Sequence, residues 1–139
     1  LGLSGGIDSA IVATIAADAI GAENVRCVML PSDYTSESSL QDAKAVAENL
    51  GCAYDFVPIT QGQAAITGTL APLFVGTQPD LTEENIQSRL RGLLLMALSN
   101  KCGEMLLTTG NKSEVAVGYA TIYGDMAGGY NPIKDLYKT

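Results

Sequence analysis

The chain of 139 residues has no histidine and no tryptophan, and only three cysteines. Without histidine, neither a Ser-His nor a Cys-His catalytic pair can form. Cys27, Cys52 and Cys102 are odd in number and far apart, with no CxxC among them. That pattern argues against a disulfide framework or a zinc site. It suits a reducing cytosol, with the thiols as small buried groups. Basic residues are scarce as well: 8 Lys and Arg stand against 15 Asp and Glu, a net charge of −7. No basic stripe or run is present, so no nucleic-acid surface is expected. No apolar run approaches the roughly 20 residues of a membrane span, and no secretory signal is visible. An anionic small ligand stays open, because backbone dipoles bind phosphate whatever the global sign.

What is present suits one globular domain: 47% of residues are apolar and 17% charged, enough for a single core. Leu1-Gly2-Leu3 reads as the end of a strand, and Tyr137-Lys138-Thr139 stops without a capping signal. The chain is therefore expected to be an excerpt of a longer protein, incomplete at both ends. Helical spacing of Ile11, Ile15, Ala16 and Ala19 predicts a helix over 8–20, closed by Gly21. A strand over Val25–Leu30 follows, then a polar loop, PSDYTSESS. Ser38 or Ser39 is expected to cap a helix ending at Gly51. A third strand is read at Ala53–Ile59, then a helix weakened by Gly62 and Gly68. Thr82 is expected to cap a strong helix whose core stripe is Ile86, Leu90, Leu93, Leu94, Ala97 and Leu98. Met105–Thr109 reads as a fourth strand. This alternation predicts an α/β fold with a doubly wound parallel sheet. Ligands bind beyond the carboxyl ends of such strands, so SGGIDS, PSDYTSESS and TGNKSE should line one crevice.

SGGIDS (Ser4–Ser9) sits between an apolar strand end and a helix, where α/β proteins hold phosphate. It is neither GxGxxG nor the lysine-bearing GxxxxGK[ST]. Gly5 and Gly6 allow close backbone approach, the amides that follow open a helix, and Ser4 and Ser9 add hydroxyls. Asp8 beside phosphate implies a bridging Mg²⁺. The same residues also read as a turn whose Asp caps the next helix, although their placement favours phosphate. Asn85 and Arg89, four apart, share one helix face away from the apolar stripe, free to meet a ligand or simply solvent. Glu114 follows a strand and a Gly-Asn turn and is read as opening a helix, where a first-turn carboxylate also suits the dipole.

SGG-x-DS after a strand resembles the loop of the ATP pyrophosphatases, which split ATP between its α- and β-phosphates. GMP synthetase, asparagine synthetase and NAD synthetase are members. The stretch TTGNKSEVAVGYATIYGDMAGGYNPIKDLYKT, with ENIQSRLRG and PSDYTSESS, is similar to NAD synthetases over nearly the whole chain. The wording of PSDYTS resembles their glutamine-dependent class, in which an amidohydrolase domain supplies ammonia through a tunnel. The resemblance implies a Rossmann-like, adenine nucleotide alpha hydrolase-like fold. It also implies amidation of deamido-NAD to NAD, with ATP giving AMP and pyrophosphate. By resemblance, ATP falls on Gly2, Leu3, Ser4, Gly5, Gly6, Ile7, Asp8 and Ser9, with Thr109 and Lys138. Mg²⁺ falls on Asp8 and Glu114, which are also the implied catalytic residues. Deamido-NAD falls on Asn85, Arg89 and Glu114. Where some ammonia-dependent relatives carry a lysine and an aspartate on the substrate, this chain has Ile122 and Gly129. A homodimer and a cytoplasmic location are implied, with ammonia or glutamine as nitrogen source. The alternatives are a GMP synthetase-like amidotransferase or a non-catalytic nucleotide-binding module.

Overall fold

A computed structural model describes residues 1–138. Its elements alternate as the patterning requires: α1 (Ile7–Ile20), β1 (Arg26–Met29), α2 (Glu37–Leu50), β2 (Ala53–Phe56), α3 (Thr60–Leu70), α4 (Leu81–Cys102) and α5 (Lys112–Ala116). β1 pairs in parallel with β2, Arg26 opposite Ala53 and Met29 opposite Phe56. On its other edge β1 pairs in parallel with the opening residues: Leu3 N donates to Val28 O at 2.8 Å and Val28 N to Leu1 O at 2.9 Å. β1 is thus a central strand buried on both faces, which explains its unbroken apolar run.

The two-residue period of β1 divides the core. Cys27 and Met29 face one layer, where Val12, Ala13 and Ala16 of α1 meet Ala43 and Ala47 of α2. Val28 and Leu30 face the other, with Ile59 and Leu90, and Ile66, Leu94, Leu95 and Leu98 around them. Helices on both faces of a parallel sheet make the fold doubly wound, as predicted.

Several local expectations fail for physical reasons. Ile11 and Ile15 are 38% and 40% exposed, because α1 turns its small residues to the sheet instead. A helix apolar all round gives periodicity no face to choose. In α4 the expected Leu90, Leu94 and Leu98 do pack on the core, but within the apolar run 93–98 Leu93 is exposed and Leu95 packs inward. Its N-cap is Asp80, not Thr82. Asp80 Oδ1 accepts from Thr82 N at 2.8 Å, and Glu83 Oε2 accepts from Asp80 N at 2.8 Å, a reciprocal capping box. Likewise Ser36, with extended backbone, caps α2 by accepting from Ser39 N at 3.2 Å, while Ser38 and Ser39 lie inside the first turn. Met105–Thr109 forms no strand among the described residues. Gly129 N donates to Leu106 O and Thr108 N to Tyr130 O, leaving one parallel bridge, Leu107 with Tyr130.

Of the thiols, Cys27 alone is fully buried; Cys52 is half-buried and Cys102 exposed. Burial, with Cys52 close by, pushes the Cys27 thiol up to about 11. A thiol so held reacts slowly. Mass spectrometry after iodoacetamide at pH 8 is expected to find Cys27 unmodified in the folded protein and alkylated once it is unfolded. Alkylation of Cys27 in the native state would contradict this packing.

Candidate functional site

The opening loop is fixed from two sides. Gly5 has φ of +84°, in the left-handed region. A Cβ there would lie 2.8 Å from Ser39 Cα and 2.9 Å from Ser39 C, so the loop rests directly on the first turn of α2. Within the loop, Ser9 is 3% exposed. Its hydroxyl accepts from Ser4 N and donates to Gly6 O, both at 3.1 Å. Ser9 therefore braces the loop, where the sequence suggested a donor for the ligand. Ser4 Oγ accepts from Gly6 N at 3.2 Å.

α1 begins at Gly6 with no side-chain cap, whereas α2, α4 and α5 are capped by Ser36, Asp80 and Asn111. The amides of Ile7, Asp8 and Ser9 are left as first-turn donors at the positive end of a 14-residue helix. The lysine that the loop lacks arrives from the far end of the chain. Lys138 Nζ donates to Asp8 Oδ2 at 2.9 Å. That hydrogen bond and the Asp8 charge, with Glu114 further off, raise the Lys138 ammonium above its ordinary value and keep it charged at neutral pH.

Two adjoining cavities open here. The first, of about 380 Å³, is lined by Ser4, Gly6, Asp8 and Ser9, with Thr109 and Glu114 facing them and Tyr119 and Asn131 at its rim. The second, of about 420 Å³, has an apolar floor that includes Leu3, Leu30, Leu95 and Leu106, and a guanidinium, Arg91. Ser4, Thr108, Thr109 and Asp125 line both. The three predicted loops meet here, since PSDYTSESS contributes Thr35 to the second cavity.

Glu114 is oriented by Asn111. Asn111 N donates to Glu114 Oε2 and Glu114 N to Asn111 Oδ1, both at 3.1 Å. The buried Nδ2 of Asn111 makes no hydrogen bond among the described residues. Among the described residues, Asp8 Oδ1 and Glu114 Oε1 are each left uncommitted while their second oxygens are held. No group of three or more His, Cys, Asp or Glu among the described residues is arranged to hold a metal. Two carboxylates in one cavity do fit Mg²⁺, which commonly takes one or two from the protein and the rest from phosphate and water.

The predicted residues fall into three groups. Ser4, Gly6, Asp8, Ser9, Thr109 and Glu114 converge on the first cavity, with Lys138 bound to Asp8. Gly2 and Leu3 line the second, Leu3 as core. Gly5 packs on α2, and Ile7 is 57% exposed. Asn85 and Arg89 stand outside the linings of both cavities and reach the 121–122 loop: Thr121 Oγ1 donates to Asn85 Oδ1 and Arg89 Nε to Ile122 O, both at 3.1 Å. Sequence reasoning missed Arg91. It is partly buried, donates from Nε to Leu30 O at 2.9 Å, and its charge is disfavoured by burial. A basic residue two beyond Arg89 gave no signal of its own, because only the fold turns it to the end of β1.

The family model described as NAD synthase matches residues 1–139. The chain is 72% identical, over its full length, to the glutamine-dependent NAD(+) synthetase of Rhodobacter capsulatus, covering 25% of that protein. The glutamine-dependent NAD+ synthetase of Acinetobacter baumannii, in complex with adenosine diphosphate, matches with a TM-score of 0.97 at 52% identity. That match covers 99% of this chain and 26% of the other. The NH3-dependent NAD synthetase of Campylobacter jejuni, in complex with the nitrate ion, matches at a TM-score of 0.88 and 36% identity, covering 99% and 57%. The chain spans about a quarter of the length of the curated relatives it matches.

Proposed function

We propose, on the premise that this chain belongs to the NAD synthase family, that it forms the ATP-splitting part of an enzyme that amidates deamido-NAD. Residues 1–139 are read as part of the synthetase domain of a longer protein. One observation carries the proposal: the uncapped start of α1, the Asp8–Lys138 pair, Thr109 and Glu114 gather around a single cavity.

In this reading the β- and γ-phosphates of ATP lie against the amides of Ile7, Asp8 and Ser9. A nicotinate carboxylate oxygen of deamido-NAD attacks the α-phosphorus, and the bond to the bridging oxygen of the β-phosphate breaks. Negative charge grows on the departing pyrophosphate, where preorganised amides and the Lys138 ammonium stabilise it. Ammonia then attacks the acyl carbon of the adenylate. AMP leaves, and the proton lost by nitrogen passes to solvent. Mg²⁺ held by Asp8 and Glu114 would supply charge neutralisation for the polyphosphate when bound. The described cavities contain no histidine, and rate comes from positioning and from the activated acyl group. Glutamine as nitrogen source is supported by the likeness to glutamine-dependent relatives; a homodimer and a cytoplasmic location complete the reading.

Assays of the full-length protein with ATP, Mg²⁺ and ammonium test it. With deamido-NAD, NAD, AMP and pyrophosphate should form in equal amounts, and xanthosine monophosphate should give none of them. Turnover of xanthosine monophosphate would point to a GMP synthetase-like enzyme. Nucleotide binding with no cleavage would point to a binding module.

A further inference from the structure

Lys138 meets Asp8 across 130 residues of sequence, and so flexible a side chain is placed only where its backbone is held. The segment 131–138 is fastened along its length. Asn131 Nδ2 donates to Gly110 O at 2.9 Å. Ile133 is 2% exposed and belongs to the core layer of α1 and α2. Lys112 N donates to Leu136 O at 2.8 Å. The last fastening is made by a side chain: Lys138 N donates to Ser113 Oγ at 3.1 Å.

The polarity of that bond is fixed, because a backbone N–H only donates and the hydroxyl must accept. Neighbouring groups of α5 are already engaged. Lys112 Nζ lies over the Tyr137 ring, 4.6 Å from its centroid, and Glu114 N is taken by the Asn111 cap. Among the described residues, Ser113 alone holds the Lys138 backbone by a hydrogen bond. Ser113 and Glu114 are adjacent in α5, yet only Glu114 lines the first cavity. One short helix therefore carries a carboxylate of the cavity and also anchors the ammonium that faces Asp8. Without the anchor, a lysine side chain already 54% exposed would gain the freedom that binding to Asp8 must remove.

We propose that Ser113 is a positioning residue for the ATP-splitting step: its hydroxyl fixes the backbone of Lys138 and so sets the ammonium beside Asp8 and the departing pyrophosphate. The inference rests on the proposed amidation of deamido-NAD and deepens it. Ser113 touches neither substrate. It acts only through Lys138.

The test uses the full-length protein with Ser113→Ala, which removes the acceptor, and Ser113→Thr, which keeps it. Ser113→Ala should lower kcat for pyrophosphate release about 3- to 10-fold, the worth of one hydrogen bond. KM for deamido-NAD should not move, and Ser113→Thr should behave as wild type. A double-mutant cycle with Lys138→Met then separates positioning from mere support of α5. Read by calorimetry as affinity for magnesium pyrophosphate, Ser113→Ala should weaken binding about 3- to 10-fold when Lys138 is present. In the Lys138→Met background it should change nothing further, because the group it positions is gone. Wild-type kcat in Ser113→Ala overturns the inference. So does equal impairment in Ser113→Thr, or the same loss of pyrophosphate affinity in both backgrounds. If the wild-type protein does not turn over deamido-NAD, the functional reading fails and this inference with it. Wild-type turnover with an unaffected Ser113→Ala removes this inference alone.

Discussion

Gly5→Ala is expected to cost the protein both stability and nucleotide affinity. The backbone at Gly5 is left-handed, which costs an L-residue about 1–2 kcal/mol. The added methyl also meets the Ser39 backbone at 2.8–2.9 Å, and backbone cannot swing aside as a flexible side chain would. Overpacking of that kind costs roughly 1–3 kcal/mol more. The total is about 2–5 kcal/mol, released only by lifting the loop off α2. Lifting it moves the α1 amides away from the cavity. Chemical denaturation of the full-length variant should show the destabilisation, and KM for ATP should rise at least tenfold. A variant as stable as wild type, with normal ATP kinetics, would mean that the loop is not seated on α2.

Asp8→Asn should separate function from fold. The Asp8–Lys138 pair lies at the surface, with side chains 21% and 54% exposed, and pairs of this kind contribute about 0–1 kcal/mol. Melting temperature should therefore barely move. Activity should fall by about 10²–10³-fold, the scale on which loss of one group that stabilises transition-state charge is felt. Pyrophosphate release with saturating deamido-NAD is the measurement. Full activity in Asp8→Asn would remove Asp8 from the chemistry and with it the pairing of Asp8 with Glu114.

How far these residues could be read from sequence depends on how local their cause is. SGGIDS announced itself, because glycines, hydroxyls and a strand–helix junction act over six residues. The alternation of strands and helices was legible for the same reason, as was the two-sided burial of β1. Caps were misplaced by two or three residues in α2 and by two in α4, because Ser36, Ser38 and Ser39, like Asp80 and Thr82, compete on equal chemical terms until the backbone chooses. The face of α1 was partly hidden by its own hydrophobicity: Ala16 is core as expected, but Ile11 and Ile15 look like core too, and Val12 and Ala13 take their place against the sheet. Contacts between distant positions were beyond local reading. Lys138 on Asp8, Arg91 on Leu30 and Thr121 on Asn85 are separated by 130, 61 and 36 residues. Asn85 and Arg89 were singled out by residue type and spacing, but only the structure shows that both are engaged by the 121–122 loop.

The account depends on where the phosphates of ATP go. A crystal of the full-length protein soaked with an α,β-methylene ATP analogue and Mg²⁺ would show this directly. The β- and γ-phosphate oxygens are expected within ~3 Å of the Ile7, Asp8 and Ser9 amides, with the Asp8 and Glu114 carboxylates turned toward the metal. Triphosphate density seated elsewhere, with the α1 amides still facing solvent, would contradict the assignment of this site.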